Sequence, residues 1–314
     1  MNKKLISFLI PAYNEADNID QLRQRLNKIS HKLTDFEFEF FLVNDGSSDQ
    51  TMNLIRQWAD NDKRVKYVNL SRNFGKELAL TAGIDHVNGS AVLIMDADLQ
   101  DPPELVEEMI KYWQEGYDDI YATRLSRDKE TFTKKITSKL FYKILQSSTK
   151  IPIQKNAGDF RLLDQKCILA IRQFRENQRY NKGIFDWIGY RKKEITFHRQ
   201  ARFSGQTKYN YFKLINLAID GLTSFTTTPL RWATILGSII SIFTFIYIIV
   251  IVFHKLFIGN TVSGYPSLMA VILFLGGVQL LSLGIIGEYI GKIFHETKNR
   301  PLYLIEDSNL NQDN

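Results

Sequence analysis

Two runs without a charged residue, 233–253 and 268–287, constrain this chain more than any other feature. Each is about twenty residues, the length at which an α-helix crosses roughly 30 Å of hydrocarbon. A pair of buried core helices is the alternative. It suits poorly two such runs on either side of a loop holding Gly264 and Pro266. Gly276, Gly277, Gly284, Gly287 and Gly291 would let two spans pack closely. Lys213 and Arg231 precede the first run, and Lys292, Lys298 and Arg300 follow the second. The loop between offers only His254 and Lys255. This basic excess predicts a hairpin in the cell membrane with both termini cytoplasmic. Residues 1–4 lead directly into a short apolar strand, so no cleavable leader is expected.

The remaining two thirds mixes charge with apolar residues. Over all 314 residues, 44% are hydrophobic and 24% charged, enough to bury a core. The single cysteine, Cys167, excludes an internal disulfide framework and a cysteine-based zinc site, and five scattered histidines argue against a His-rich one. A net charge of +6 suits an anionic partner such as a nucleotide or a phospholipid surface. No nucleic-acid-binding module is recognisable, so nucleic acid is not expected as a partner.

Strand and helix patterns alternate. Residues 5–12, 38–45, 65–70, 91–96 and 119–123 read as strands; 16–33, 51–60, 77–87 and 104–113 read as helices. Such alternation predicts an α/β domain with a mostly parallel sheet and helices on both faces. Ligands bind beyond the carboxyl ends of such strands, where this chain places its polar motifs. Asp96 and Asp98 follow the fourth strand; paired carboxylates suit Mg²⁺ or Mn²⁺ bridging to a diphosphate, although a turn can hold two aspartates for no such reason. Asp45-Gly46-Ser47-Ser48-Asp49 follows the second strand and suits either a capped turn or a nucleoside pocket. No G-x-G-x-x-G follows the first strand, and Gly75-Lys76-Glu77 does not complete a phosphate loop. Asp159 lies in Gly158-Asp159-Phe160-Arg161, a turn with a surface salt bridge on the plainest reading. Arg202 and Lys208 bracket a Gly-containing loop that is either a solvated basic loop or one able to close over a diphosphate, and Arg124, after the fifth strand, is a further cation that could meet a phosphate.

Together these strings resemble glycosyltransferase family two, and within it the polyprenyl-phosphate glycosyltransferases, the group of dolichol-phosphate mannose synthase and the bactoprenol glucosyltransferases. The matching strings are PAYNE at 11–15, NDGSSD at 44–49, SRNFGKE at 71–77, DADLQDPPE at 96–104, GDFRLL at 158–163 and RFSGQTKY at 202–209. The resemblance implies a GT-A, Rossmann-like catalytic domain over 1–208. A juxtamembrane segment would cover 209–229, and two spans near 233–254 and 267–289 would lie within 230–292. A cytoplasmic tail would occupy 293–314. It implies an inverting transfer of a sugar, with glucose favoured, from a nucleotide-sugar, with UDP favoured over GDP. The acceptor would be undecaprenyl phosphate, for cell-envelope glycan modification. Pro11, Tyr13, Glu15 and Asp45 would line the nucleoside pocket, and Asp96 and Asp98 would serve metal and diphosphate. Asp159 would take the base position, as a proton acceptor or as a group that positions the acceptor. A homo-oligomer, a tetramer by resemblance, is a further implication.

Residues 127–146 and 209–226 have amphipathic spacing and would lie on an anionic membrane surface. A processive polysaccharide synthase is a rival, but its Gln-x-x-Arg-Trp string is incomplete here: Arg231-Trp232 is present and position 228 is threonine. A silent nucleotide-sugar-binding scaffold is another, but it would be expected to lose a site carboxylate.

Overall fold

The structure, a computed structural model, describes residues 3–124, 157–177, 179–197, 228–257 and 264–310. The chain divides into two units, 1–210 with 300–314 and 211–299.

The first unit is built on one eight-stranded sheet. Its strands are β1 (Lys4–Ala12), β2 (Phe36–Asn44), β3 (Val65–Leu70), β4 (Ala91–Ile94), β5 (Asp119–Arg124), β6 (Ala157–Asp164), β7 (Lys192–Phe197) and β8 (Ile305–Ser308), in the order β7-β5-β6-β4-β1-β2-β3-β8. Strands β1 to β4 pair in parallel, as do β5 and β7; β6 runs antiparallel to both β4 and β5, and β8 antiparallel to β3. The mostly parallel α/β sheet is therefore present, with two reversed strands that the hydrophobic pattern does not announce.

Alternation along the strands feeds two cores. Ile6, Phe8 and Ile10 of β1 and Phe38, Phe40 and Leu42 of β2 pack one face. They meet Ile19, Leu22 and Leu26 of α1 (Ala16–Lys32), Ile55 and Trp58 of α2 (Thr51–Asn61), and Met109 and Trp113 of α4 (Val106–Gln114). Leu9, Phe41 and Val43 point to the other face. There they meet Leu80 and Ile84 of α3 (Lys76–His86), Ile168 of α5 (Gln165–Ile171) and Phe185 of α6 (Asn181–Trp187). Period-two apolar positions thus supply helices on both faces, which leaves the strand ends open for polar loops.

The second unit holds α7 (Thr228–Phe257) and α8 (Tyr265–Thr297). At 30 and 33 residues each is longer than the roughly 20 residues a span needs. Among the described residues, Phe274–Thr297 is long and apolar enough to cross a membrane, and Trp232–Tyr247 is a shorter apolar stretch. Phe243 and Leu280 are 70% and 72% exposed, so these helices present apolar side chains outward rather than burying them. After α8 the chain returns to the first unit as β8. The amphipathic stretches expected at 127–146 and 209–226 fall outside the described residues.

Candidate active site

The loops after β1 and β2 are zipped together by short polar side chains. Asn14 takes a left-handed φ of 54°, a conformation asparagine tolerates better than most residues. Its Oδ1 accepts from the Ser48 amide at 2.8 Å, and its own amide donates to Ser47 Oγ at 3.0 Å. Glu15 N donates to Thr51 Oγ1 at 2.9 Å. Asp49 accepts from the amide and hydroxyl of Thr51 and from the Ala16 amide. Burial opposes the charge on Asp49, but these donors outweigh it and hold its pKa below the ordinary value.

Asp45 is buried at the end of β2, where its amide donates to Ala12 O. Its two carboxylate oxygens accept from the amides of Phe74 and Gly75, at 2.7 and 2.9 Å. It therefore ties down the 71–75 loop from inside. Burial raises its pKa against the pull of those two amides. Gly46 makes this fit possible: its φ is +62°, and a Cβ there would lie 2.3 Å from Arg72 C. Of the other residues expected near the nucleoside, Pro11 is buried in β1, Glu15 is half-buried, and Tyr13 is 47% exposed.

Asp96 and Asp98 follow β4, and Asp159 lies in β6, the antiparallel neighbour of β4. β4 pairs with β6 as far as Ile94↔Arg161, and Asp96 lies in the loop just beyond that pair. One ammonium joins Asp96 to Asp159: Lys76 Nζ lies 2.5 Å from Asp96 Oδ1 and 2.6 Å from Asp159 Oδ2. Burial works against the Lys76 charge, but the two carboxylates outweigh it and raise its pKa. Burial likewise opposes ionisation of Asp159, while Lys76 and Lys182 hold its pKa below the usual carboxylate range. Asp159 Oδ1 is shut off from solvent without a hydrogen-bond partner among the described residues, an unsatisfied buried acceptor of a kind rare in folded proteins. Asp98 is buried, and its Oδ1 accepts from the Gln100 amide at 3.1 Å. The intervening Leu99 has a φ of 58°, the kind of backbone strain that collects at functional loops.

The segment at 158–161 is not a turn. It lies in the buried strand β6, and its arginine forms no surface ion pair. Arg161, 1% exposed, reaches Asp119 Oδ2 at 3.1 Å and lies over the Phe185 ring at 4.1 Å. Its Nη2 also donates to Gly158 O at 3.4 Å, which steadies the backbone next to Asp159.

Lys76 is the residue that sequence reasoning passed over. Its string was visible at 71–77, but a failed phosphate-loop pattern gave no reason to single it out. Arg124 closes β5, paired with Phe197. Arg202 and Lys208 lie outside the described residues.

The acidic pair has the donor chemistry of a hard-metal site. Among the described residues no three His, Cys, Asp or Glu side chains group to hold a metal. Asp96 and Asp98 offer hard oxygens, and ions such as Mg²⁺ are commonly held by one or two carboxylates plus substrate phosphates. The residues fit an ion completed by a bound diphosphate.

Residues 7–171 match the family described as glycosyl transferase family 2, and residues 228–293 match the GtrB C-terminal hairpin. An uncharacterized glycosyltransferase of Synechocystis sp. is 51% identical over 302 residues, covering 96% of this chain and 95% of its own. The bactoprenol glucosyl transferase of Shigella phage SfII is 41% identical over 303 residues, covering 96% and 98%. Among solved structures, mannosyl-3-phosphoglycerate synthase from Rubrobacter xylanophilus shares the fold with a TM-score of 0.51 at 15% identity, over 69% of this chain and 71% of that one. Sheet order, strand-end carboxylates and relatives agree on a glycosyltransferase with a GT-A-like catalytic domain. The chain belongs to glycosyltransferase family 2 and carries, in addition, a GtrB C-terminal hairpin.

Proposed function

We propose that this enzyme transfers glucose from UDP-glucose to undecaprenyl phosphate, with inversion at the sugar, at the cytoplasmic face of the membrane. The observation that carries the reading is similarity at 40–41% identity to proteins named bactoprenol glucosyl transferase, running over 96% of the chain and so through both the catalytic unit and the hairpin.

In this reading an acceptor phosphate oxygen forms a bond to sugar C1 as the bond from C1 to the donor diphosphate breaks. The diphosphate leaves from the opposite side with the electron pair. A phosphomonoester has a second pKa near 6, so the nucleophile is largely ionised at neutral pH and needs little help from a base. Asp159 then positions the reacting groups, with Oδ1 as the available acceptor and Oδ2 held by Lys76. Asp96 and Asp98 would hold Mg²⁺ or Mn²⁺, which when bound supplies positive charge against the leaving diphosphate. Pro11, Tyr13, Glu15 and Asp45 would border the nucleoside, and Arg202, Lys208 and Arg124 would contribute cations around the phosphates.

Strand β8 supports a hairpin topology. Residues before α7 and after α8 belong to one folded unit, and a folded unit lies on one side of a bilayer. The chain between them then crosses an even number of times. Reporter fusions after Asn260 and at Asn314 should fall on opposite sides; same-side results would reject the hairpin.

The decisive assay incubates membranes holding the enzyme with undecaprenyl phosphate and labelled UDP-glucose, UDP-galactose, UDP-N-acetylglucosamine or GDP-mannose. The expected product is a lipid-linked glucose of inverted anomeric configuration. No lipid-linked sugar from any donor would overturn the proposal.

A further inference from the structure

We infer that β8, the strand following the apolar helices, is a working part of the donor pocket: through Glu306 it orients a buried amide relay that holds the loops after β1 and β2. The inference rests on the reading of those loops as the nucleoside end of the donor site.

The relay is continuous. Glu306 Oε2 accepts from Asn69 Nδ2 at 2.9 Å. Asn69 Oδ1 accepts from Asn44 Nδ2 at 2.7 Å, and Asn44 Oδ1 accepts from Ser47 Oγ at 2.5 Å. Ser47 Oγ accepts from the Asn14 amide, and Asn14 Oδ1 accepts from the Ser48 amide. Asn44 and Asn69 are buried, at 1% and 6% exposure, so water does not readily enter the bond between them.

Direction is the point of the arrangement. A carboxylate only accepts, whereas an asparagine amide has a donating end and an accepting end. Glu306 therefore obliges Asn69 to turn its NH₂ outward and its oxygen toward Asn44. That fixes Asn44 with its oxygen toward Ser47, and the Ser47 hydroxyl, once it has donated, keeps a lone pair for the Asn14 amide. Without Glu306 the Asn69 amide loses the group that selects its orientation. If Asn69 flips, Asn44 must follow, and the Ser47 hydroxyl loses its acceptor. The hydroxyl is then free to rotate, and the bond it accepts from the left-handed Asn14 is no longer held in place.

Docking of the strand does not depend on Glu306. Arg56 Nη2 and Asp307 Oδ2 pair at 2.9 Å, Tyr67 N donates to Asn309 Oδ1 at 2.7 Å, Asn309 Nδ2 donates to Val65 O at 2.9 Å, and Ser71 N donates to Leu304 O at 2.9 Å. Glu306 itself is exposed, so its replacement tests the relay rather than the fold.

The experiment compares full-length parent, Glu306→Ala, Glu306→Gln and Asp307→Ala by amide hydrogen exchange without ligand, and by steady-state kinetics with UDP-glucose. In Glu306→Ala, peptides spanning 13–18 and 45–51 should exchange about 3- to 10-fold faster, the effect of one hydrogen bond, while peptides from β1 and β4 stay at the parent rate. The donor KM should rise by a similar factor with kcat within about twofold. Glu306→Gln keeps an acceptor oxygen and should return both readouts most of the way. Asp307→Ala, which weakens docking alone, should leave the loops at the parent rate. Parent-like exchange in Glu306→Ala would overturn the inference. So would equal acceleration in Asp307→Ala, or a fall in kcat with an unchanged KM. If the parent turns over no nucleotide-sugar, the reading of the pocket fails, and the exchange comparison still decides whether the relay exists.

Discussion

Lys76 Nζ lies 2.6 Å from Asp159 Oδ2 and 2.5 Å from Asp96 Oδ1, so one cation from the start of α3 joins a carboxylate on β6 to one in the loop after β4. It holds the Asp159 carboxyl below its usual pKa while bonding to Asp96, at the spot where the proposed chemistry needs positive charge.

Lys76→Met should therefore act in two directions. Turnover should fall by about 10²-fold, as when one preorganised charge-stabilising group is removed. Binding of Mn²⁺ to the nucleotide-free protein should tighten, because the carboxylates lose the cation that competes for them. Electron paramagnetic resonance titration of Mn²⁺ reads the second effect without any turnover. If turnover and Mn²⁺ affinity both match the parent, Lys76 has no part in the site.

Asp159→Asn separates base from positioning group. The native carboxyl has a lowered pKa, so it is ionised across the whole range from pH 5.5 to 8.5. A positioning role predicts a deficit at every pH in that range. A base, whose help typically amounts to about 10²–10⁴-fold, predicts a deficit concentrated below the acceptor's second pKa near 6 and vanishing above pH 7. Turnover profiles at saturating donor and lipid phosphate decide between them, and the positioning profile is expected.

Gly46→Ala should destabilise the catalytic unit. A φ of +62° disfavours any side chain, and the added carbon would press on the Arg72 backbone. A loss above about 1 kcal/mol is expected from the conformation alone. Thermal unfolding measures it; an unchanged midpoint would mean that the 46–49 and 71–75 loops do not meet as described.

Arg161→Met should unfold the protein more readily rather than alter donor recognition. It strands Asp119, 0% exposed, with Lys192 at 3.7 Å as a remaining partner. Breaking one side of a buried pair costs about 3–5 kcal/mol. Combining it with Asp119→Leu should recover most of the loss, since the unpaired carboxylate is removed and Lys192 keeps Asp186 at 2.6 Å as its partner. Failure of the double variant to recover would show that Arg161 is needed for something other than Asp119.

Much of this architecture was legible in the chain. Apolar runs such as FLVN before Asp45 and AVLI before Asp96 mark strands whose ends carry the acids. The segment at 157–164 was not, because Arg161 and Asp164 break the apolar run and only the fold brings Asp119 to neutralise the arginine. The tail strand was hidden for a related reason. Its Ile-Glu-Asp-Ser sequence is polar, as suits an edge strand, and its partners Arg56, Tyr67 and Asn69 lie more than two hundred residues earlier. Lys76 was visible as a letter and invisible as a bridge, since sequence spacing says nothing about Asp159.

The pairing of β8 with β3 also sets an order of assembly. Ribosomes release the eighth strand only after both apolar helices have emerged, so the sheet receives its outer strand last. A nascent catalytic unit halted before the hairpin carries β3 as a bare edge, with hydrogen-bonding groups open to any neighbouring chain. Synthesis of the apolar helices thus stands between an unfinished domain and a finished one, and a polypeptide that stops short of them has neither its edge covered nor Glu306 in place.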